Sequence, residues 1–302
     1  MMSRRELHGV LAAGLSSLLG GTAVVATRSV IAGIDPGSLG LARYGIGSLC
    51  LFILLGKRAT RPERRDMIPI ALLGMLFFAA FPWLFNKSLA WTTAAHGSLA
   101  LSTLPLLTLA AAGAMGVERL TFLKLAGVIV ALLGVASALG DKLAAAELEA
   151  AWRGDLVMVG AAFCGAFYNV LARPYLRCYP PLVFTAYAML SGAAALAALT
   201  AVDGSPDRLL ALGTTGWLAV VYLGGVGAAL TFWLWSFGLE RTTPTRVAIT
   251  VTLNPLTAMT LGTLLLGEPF TPQLLLGLGA IVTGIVLANW PRRRSSTAPE
   301  TP

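Results

Sequence analysis

The residues of this chain that could do chemistry inside an apolar setting are few, and they are binding groups. His96, Asn254, the pair Tyr168-Asn169, Tyr44 and Arg43 all stand within long apolar stretches, and Thr250 shares a helical face with Asn254. Hydroxyl, amide and imidazole groups at such depth turn inward and offer hydrogen bonds to a small polar solute. Arg43 lies about one turn further in than Arg28 and suits a carboxylate or other anion. Aromatic side chains crowd two stretches, Phe77 to Phe85 and Phe232 to Phe237, with Trp83 and Trp233 at matching positions. Those two tryptophans suit either a cavity wall or the membrane-interface belt. The expected substrate-binding set is therefore Trp83, His96, Tyr168, Asn169, Trp233, Asn254, Thr250, Tyr44 and Arg43.

Reaction chemistry is harder to assemble. The 3 cysteines, Cys50, Cys164 and Cys178, form no CxxC pair, and with 2 histidines the chain has no metal-ligand spacing. No cofactor is expected. A Walker A motif is absent, so nothing in the chain burns ATP. No Asp or Glu falls near the middle of an apolar stretch, so proton coupling would rest on His96 or not exist. A membrane-embedded transferase is one alternative class, but it lacks a catalytic constellation. Proton-coupled efflux of drugs or metabolites is another.

The elements that position these residues follow from composition. The chain is 56% hydrophobic and 12% charged, with mean hydropathy +0.77. Soluble domains carry about 25% charged residues, so most of this surface must face lipid. Lipid demands internal satisfaction of every backbone polar group. Long apolar runs without two-residue alternation then read as helices rather than a membrane barrel. Ten spans are expected: 9–31, 38–56, 67–86, 91–115, 121–139, 153–172, 181–202, 214–237, 243–266 and 271–290. The net charge of +8 reads as the positive-inside rule, and nucleic acid is not an expected partner. The expected partners are a small-molecule solute and the lipid bilayer, and a monomer suffices for both.

The chain also repeats itself. A shift of 150 positions lays Trp83 on Trp233, Thr92 on Thr242, Pro105 on Pro255, Glu118 on Glu268, Thr121 on Thr271 and Gly127 on Gly277. A shift of 145 lays Gly20 on Gly165, Arg28 on Arg173 and Pro36 on Pro181. The fold expected is an all-α polytopic membrane protein: ten transmembrane helices as two five-helix inverted-topology repeats with both termini cytoplasmic. Residues 1–140 form the first repeat, 141–152 a connecting loop, 153–291 the second repeat and 292–302 a basic polar tail. With the N-terminus inside, 16 of the 22 Lys and Arg residues fall on the cytoplasmic side. Pro105 and Pro255, each near the middle of its span, are expected to bend it and act as hinges. Glu118 and Glu268 are expected to cap the helices that follow them.

The sequence resembles the drug/metabolite transporter superfamily, EamA type, over about 9–290. The resemblance rests on Leu41-Ala42-Arg43-Tyr44, on the doubled Pro105-Leu106 and Pro255-Leu256, and on the two helix ends at 116–121 and 266–271. It implies a central cavity between the repeats, alternating access and export of amino acids or metabolites across a cell inner membrane. The aromatic-rich spans and His96 are similar to the aromatic amino acid exporter (YddG-like) branch. Ala94 departs from the repeat, because its counterpart is Pro244.

Overall fold

The computed structural model describes residues 3–31, 34–56, 60–89, 91, 100–144, 151–203, 209, 211–266 and 272–290. These residues form ten helical runs, six of them long and apolar enough to cross a membrane. The protein is a polytopic helical membrane protein. Helix α1 is Arg4–Ile31 and α2 is Pro36–Leu55. The start of α2 differs from the expected Ser38, because the Asp35 carboxylate accepts from the Ser38 amide at 2.9 Å and Pro36 enters the first turn. Next come α3 (Arg64–Met75) and α4 (Phe81–Leu89), joined by a π-helical turn at Leu76–Ala80. Then follow α5 (Leu104–Ala114), α6 (Phe122–Ala144), α7 (Ala151–Leu171), the short α8 (Arg173–Cys178) and α9 (Pro181–Asp203). Helices α10 (Thr214–Gly224) and α11 (Thr231–Arg241) flank a second π turn at Gly225–Leu230. Helix α12 (Pro244–Ala248) passes through a 3₁₀ turn at Ile249–Thr252 into α13 (Leu253–Leu266), and α14 is Pro272–Asn289.

The outer faces are those of a lipid-facing bundle. Ile53, Leu54, Ile68, Leu72 and Leu218 are all exposed, which water would penalise and hydrocarbon does not. Inside lipid the helices gain little from further apolar burial, so close backbone approach through small residues holds them. Gly127 of α6 lies against the Gly284 carbonyl of α14, where a methyl group would sit 2.6 Å from that oxygen. Gly134 lies against the Gly277 carbonyl, where a methyl would sit 2.8 Å away. A shift of 150 turns one contact into the other.

Other contacts between the two halves of the sequence pair when one partner is shifted by 145 and the other by 150. Gly47 of α2 meets Ala228 and the Gly224 carbonyl, and Gly192 of α9 meets Phe78 and the Gly74 carbonyl. Gly20 of α1 meets the Asn254 side chain, and Gly165 of α7 meets the Leu104 side chain. The two π turns fall at matching positions as well. A π turn spreads one extra residue into the helix, which rotates the face presented to neighbours and is found often at functional sites.

Neither proline kinks an unbroken helix, as the sequence alone implied. Pro105 lies in the first turn of α5 and Pro255 in the first turn of α13, directly after the 3₁₀ turn. Proline is accommodated there because its missing N–H is one that a helix start leaves unbonded anyway. Helix α5 closes with Gly116 at φ +67°, and the Val117 amide reaches back to the Ala112 carbonyl at 2.8 Å. This is a Schellman end, which needs a residue free to adopt left-handed geometry. Gly116→Ala is expected to cost about 1–2 kcal/mol, seen as a lowered thermal midpoint in detergent; an unchanged midpoint would show the turn adapts.

Candidate functional site

The middle of the bundle is an aromatic cluster. Phe77 and Phe78 are neighbours in sequence yet both buried, since the π turn brings adjacent residues to the inner face. Phe77 stacks on Tyr168 with centroids 4.1 Å apart and rings 9° from parallel. Phe78 meets Phe232 edge-on at 5.1 Å and Tyr44 edge-on at 5.6 Å. Tyr44 also leans on Phe232 at 6.0 Å. Such offset and edge-on pairs add roughly 0.5–1.5 kcal/mol each beyond their buried area. Tyr44 and Tyr168 thus both pack on Phe78 as walls of the cluster. The Tyr168 hydroxyl is buried without a hydrogen-bond partner, and Ser236 is a polar group beside it.

Asn169 is fully buried next to this cluster. Its carbonyl oxygen accepts from the Trp235 indole N–H at 2.9 Å, and its amide nitrogen donates to the Thr108 hydroxyl at 3.4 Å. One side chain therefore ties α5, α7 and α11 together. Trp235 and Thr108 were not among the expected site residues. Their signal was an indole and a hydroxyl inside apolar spans, each of which needs a partner.

Arg43 extends from α2 to the second π turn. Its Nη2 donates to the Gly227 carbonyl at 2.7 Å, and its guanidinium stands 5.4 Å from the Tyr44 ring centre. The guanidinium Nε is buried and has no partner. A π turn weakens its own hydrogen-bond ladder, and the Thr231 hydroxyl likewise donates to the Val226 carbonyl at 2.8 Å. Arg43 is thus anchored between the two halves rather than reaching outward to the lipid headgroups.

Thr250, Asn254 and Thr257 line one seam against α1. The Thr250 hydroxyl lies 2.9 Å from that of Ser17 and donates to the Val247 carbonyl at 2.7 Å. Asn254 faces Gly20, and its carbonyl oxygen is buried without a partner. Arg246 belongs to the same seam and pairs with Glu6 of α1 at 3.3 Å.

The expected set divides at this point. Tyr44 and Tyr168 share the aromatic cluster, with Arg43 against Tyr44 and Asn169 next to Tyr168, whereas Thr250 and Asn254 lie on the α1 seam. Trp83 does not join them: it is 43% exposed and carries the Lys87 ammonium 4.6 Å from its ring centre. Trp233 is half-buried and meets Phe237 at 6.1 Å. His96 lies outside the described residues. Among the described residues no group of His, Cys, Asp or Glu could hold a metal ion.

One end of the bundle is rich in arginine and is drawn together by polar contacts. Arg5 pairs with Glu240 at 2.9 Å, and Glu240 also pairs with Arg241. The Tyr179 phenol donates to Asp66 at 2.6 Å and accepts from the Glu63 amide at 3.1 Å. The Asp66 carboxylate beside it raises the phenol above its usual range. At the same end the Glu118 carboxylate accepts from the Thr245 amide at 3.0 Å and pairs with Lys124 at 2.5 Å. Glu118 does not cap α6, the helix that follows it, as the sequence led one to expect.

A buried aromatic and amide centre with no catalytic or metal constellation among the described residues fits a solute pathway. Family comparison decides the matter: the model of the EamA-like transporter family matches residues 7–140 and again 152–290. The chain belongs to the EamA-like transporter family. It is a membrane transporter and not an enzyme. One relative is the "Probable terminal-alkyne amino-acid exporter" of Streptantibioticus cattleyicolor, 28% identical over 92% of this chain and 93% of its own. Another is the "Probable amino-acid metabolite efflux pump" of Salmonella typhimurium, 26% identical over 78% of this chain and 82% of its own. A solved crystal structure at 22% sequence identity shares the fold with a TM-score of 0.79, over 95% of this chain and 98% of that one. In this EamA-like transporter the first matched segment ends within α6 and the second begins within α7.

Proposed function

We propose that this transporter exports small neutral amino acids or related metabolites, aromatic ones included, by alternating access across a cell inner membrane. Its two halves, 1–140 and 153–291, act as inverted five-helix repeats around the aromatic centre, with both termini cytoplasmic. The observation that carries this reading is the pairing of contacts under the two sequence shifts, 145 for one partner and 150 for the other, Gly20 with Asn254 and Gly165 with Leu104 above all. Two halves that pack on each other through equivalent surfaces can exchange roles, which is what alternating access requires. The substrate class rests on the exporters named among the relatives and on a guanidinium beside aromatic walls. Arg43 takes the solute carboxylate through its unpartnered Nε edge. Tyr44, Tyr168 and Asn169 form the wall, and Asn254, Thr250 and His96 supply further polar contacts. Trp233 borders the wall, Trp83 serves the membrane interface, and Pro105 and Pro255 mark the helix starts about which the spans hinge. Transport is facilitative, with no ATP engine in the chain.

The test is counterflow of labelled amino acids in proteoliposomes, with and without an imposed proton gradient. Saturable counterflow that is indifferent to the gradient is the expected result. Absence of saturable counterflow for every amino acid tried would remove the substrate assignment, and strict dependence on the gradient would remove the facilitative one. Arg43→Ala is expected to raise KM about tenfold or more, the loss of a charge-assisted pair. Arg43→Lys keeps the charge but not the planar fork and should recover only part. An unchanged KM in both variants would leave Arg43 as a strut for the π turn alone.

A further inference from the structure

The Glu118 contact is unlike the other ion pairs at the arginine-rich end. Arg5 is 68% exposed in its pair and Glu6 is 37% exposed in its own, whereas the Glu118 side chain is 1% exposed and its Lys124 partner 15%. Exposed pairs contribute little to holding helices together. A buried carboxylate persists only if both oxygens are satisfied. Here one oxygen takes the Lys124 ammonium and the other takes the Thr245 amide, 127 positions away in the chain. The Schellman end at Gly116 points the carboxylate across the bundle, because it turns the chain sharply before α6 begins. Thr245 opens the broken span that runs through α12, the 3₁₀ turn and α13. Glu118 therefore fastens the α5–α6 turn of one half to the start of an interrupted span of the other.

We propose that Glu118 is the positioning residue of a gate at this end of the carrier. While its carboxylate holds the Thr245 amide the end is shut, and letting go is a step of the transport cycle. The proposal rests on the alternating-access reading given above, and its test separates the two. Cys50, Cys164 and Cys178 are replaced by alanine, and a single cysteine is placed at Ala248. That residue is wholly buried one turn behind Thr245, packed with Leu104 and Ala162. The reaction rate of this thiol with a membrane-impermeant maleimide is then measured in proteoliposomes of known orientation, with the probe on the Glu118 side. Glu118→Ala removes both bonds and is expected to raise the rate about tenfold, the worth of one or two charge-assisted bonds. Glu118→Gln keeps an acceptor for Thr245 but loses the ammonium, and should raise it roughly threefold. It also carries the test should the alanine variant fail to accumulate. Labelling from the opposite side should fall, a change that a merely structural cap would not produce. Rates within about twofold of the parent in the variants obtained would overturn the gate. A parent rate unmoved by saturating solute, with the Glu118 variants still fast, would instead count against alternating access and leave the gate standing.

Discussion

Gly74→Ala is expected to abolish folded protein, whereas Gly45→Ala should leave it intact or slightly more stable. A methyl group on Gly74 of α3 would overlap the Ala188 carbonyl oxygen of α9, and Ser191 leaves no room to slide aside. The Ser191 hydroxyl lies 3.0 Å from the Ala71 carbonyl and 2.8 Å from that of Ala188, so this crossing is already hydrogen-bonded in place. Overpacking against side chains costs about 1–3 kcal/mol, and backbone yields less readily than side chains do. Gly45 in α2 has no neighbour within 4 Å of the same position. There the substitution simply trades glycine for a better helix former, a gain of up to about 1 kcal/mol. The two variants differ in nothing but local space, so membrane insertion and expression are controlled. Monodisperse yield after detergent extraction reads the result. Equal yields from the two variants would show that α3 and α9 can separate at no cost.

The sequence made the helical membrane class legible because lipid leaves so few options. Once 12% charged residues rule out a water-facing surface, helices follow from backbone satisfaction alone. The internal shift was legible through rare residue types, the Trp, Pro and Glu pairs. Gly74 and Gly224 also match under that shift, but a glycine match in a chain with 33 glycines carries no weight until contacts are seen. The π and 3₁₀ turns were not legible, because each differs from an α-helix by one residue in hydrogen-bond spacing and no residue type enforces it. That is why sequence alone reads the prolines as kinks in unbroken helices: a span of the right length hides a break inside it.

The site was legible by residue type and not by contact. Tyr168-Asn169 and Tyr44 were found because polar rings and amides are costly in hydrocarbon. That argument says such a group has a partner without saying which. Asn169 finds Trp235 and Thr108, Arg43 finds a backbone carbonyl, and Thr250 finds Ser17. Each partner lies on another span, far off in sequence. Sequence alone makes Glu118 a local cap, since the nearest helix start is three residues on. Tertiary packing offered it a different helix start, which proximity in sequence cannot reveal.

Asn169→Leu should be the most damaging polar substitution in the bundle. Leucine is close to asparagine in size, so the change removes hydrogen bonds more than volume. The Thr108 hydroxyl can turn to a carbonyl of its own helix, as threonines in spans do. The Trp235 indole N–H is donor-only and rigid, so it is left unpaired at a cost of about 1–3 kcal/mol. Because Tyr168 and Phe77 stack beside it, release of α11 should spread into the aromatic centre and lower counterflow at least about tenfold. Asn169→Asp keeps an acceptor for Trp235 but buries a charge, so it should also fail. Trp235→Phe removes the donor itself and should be milder than either. The double variant Asn169→Leu with Trp235→Phe then decides the matter. If the bond carries the effect, adding Trp235→Phe to Asn169→Leu costs little more in thermal midpoint, because the unpaired donor is gone. Strict additivity of the two losses would mean that the amide and the indole act independently, with no energetic bridge between α7 and α11.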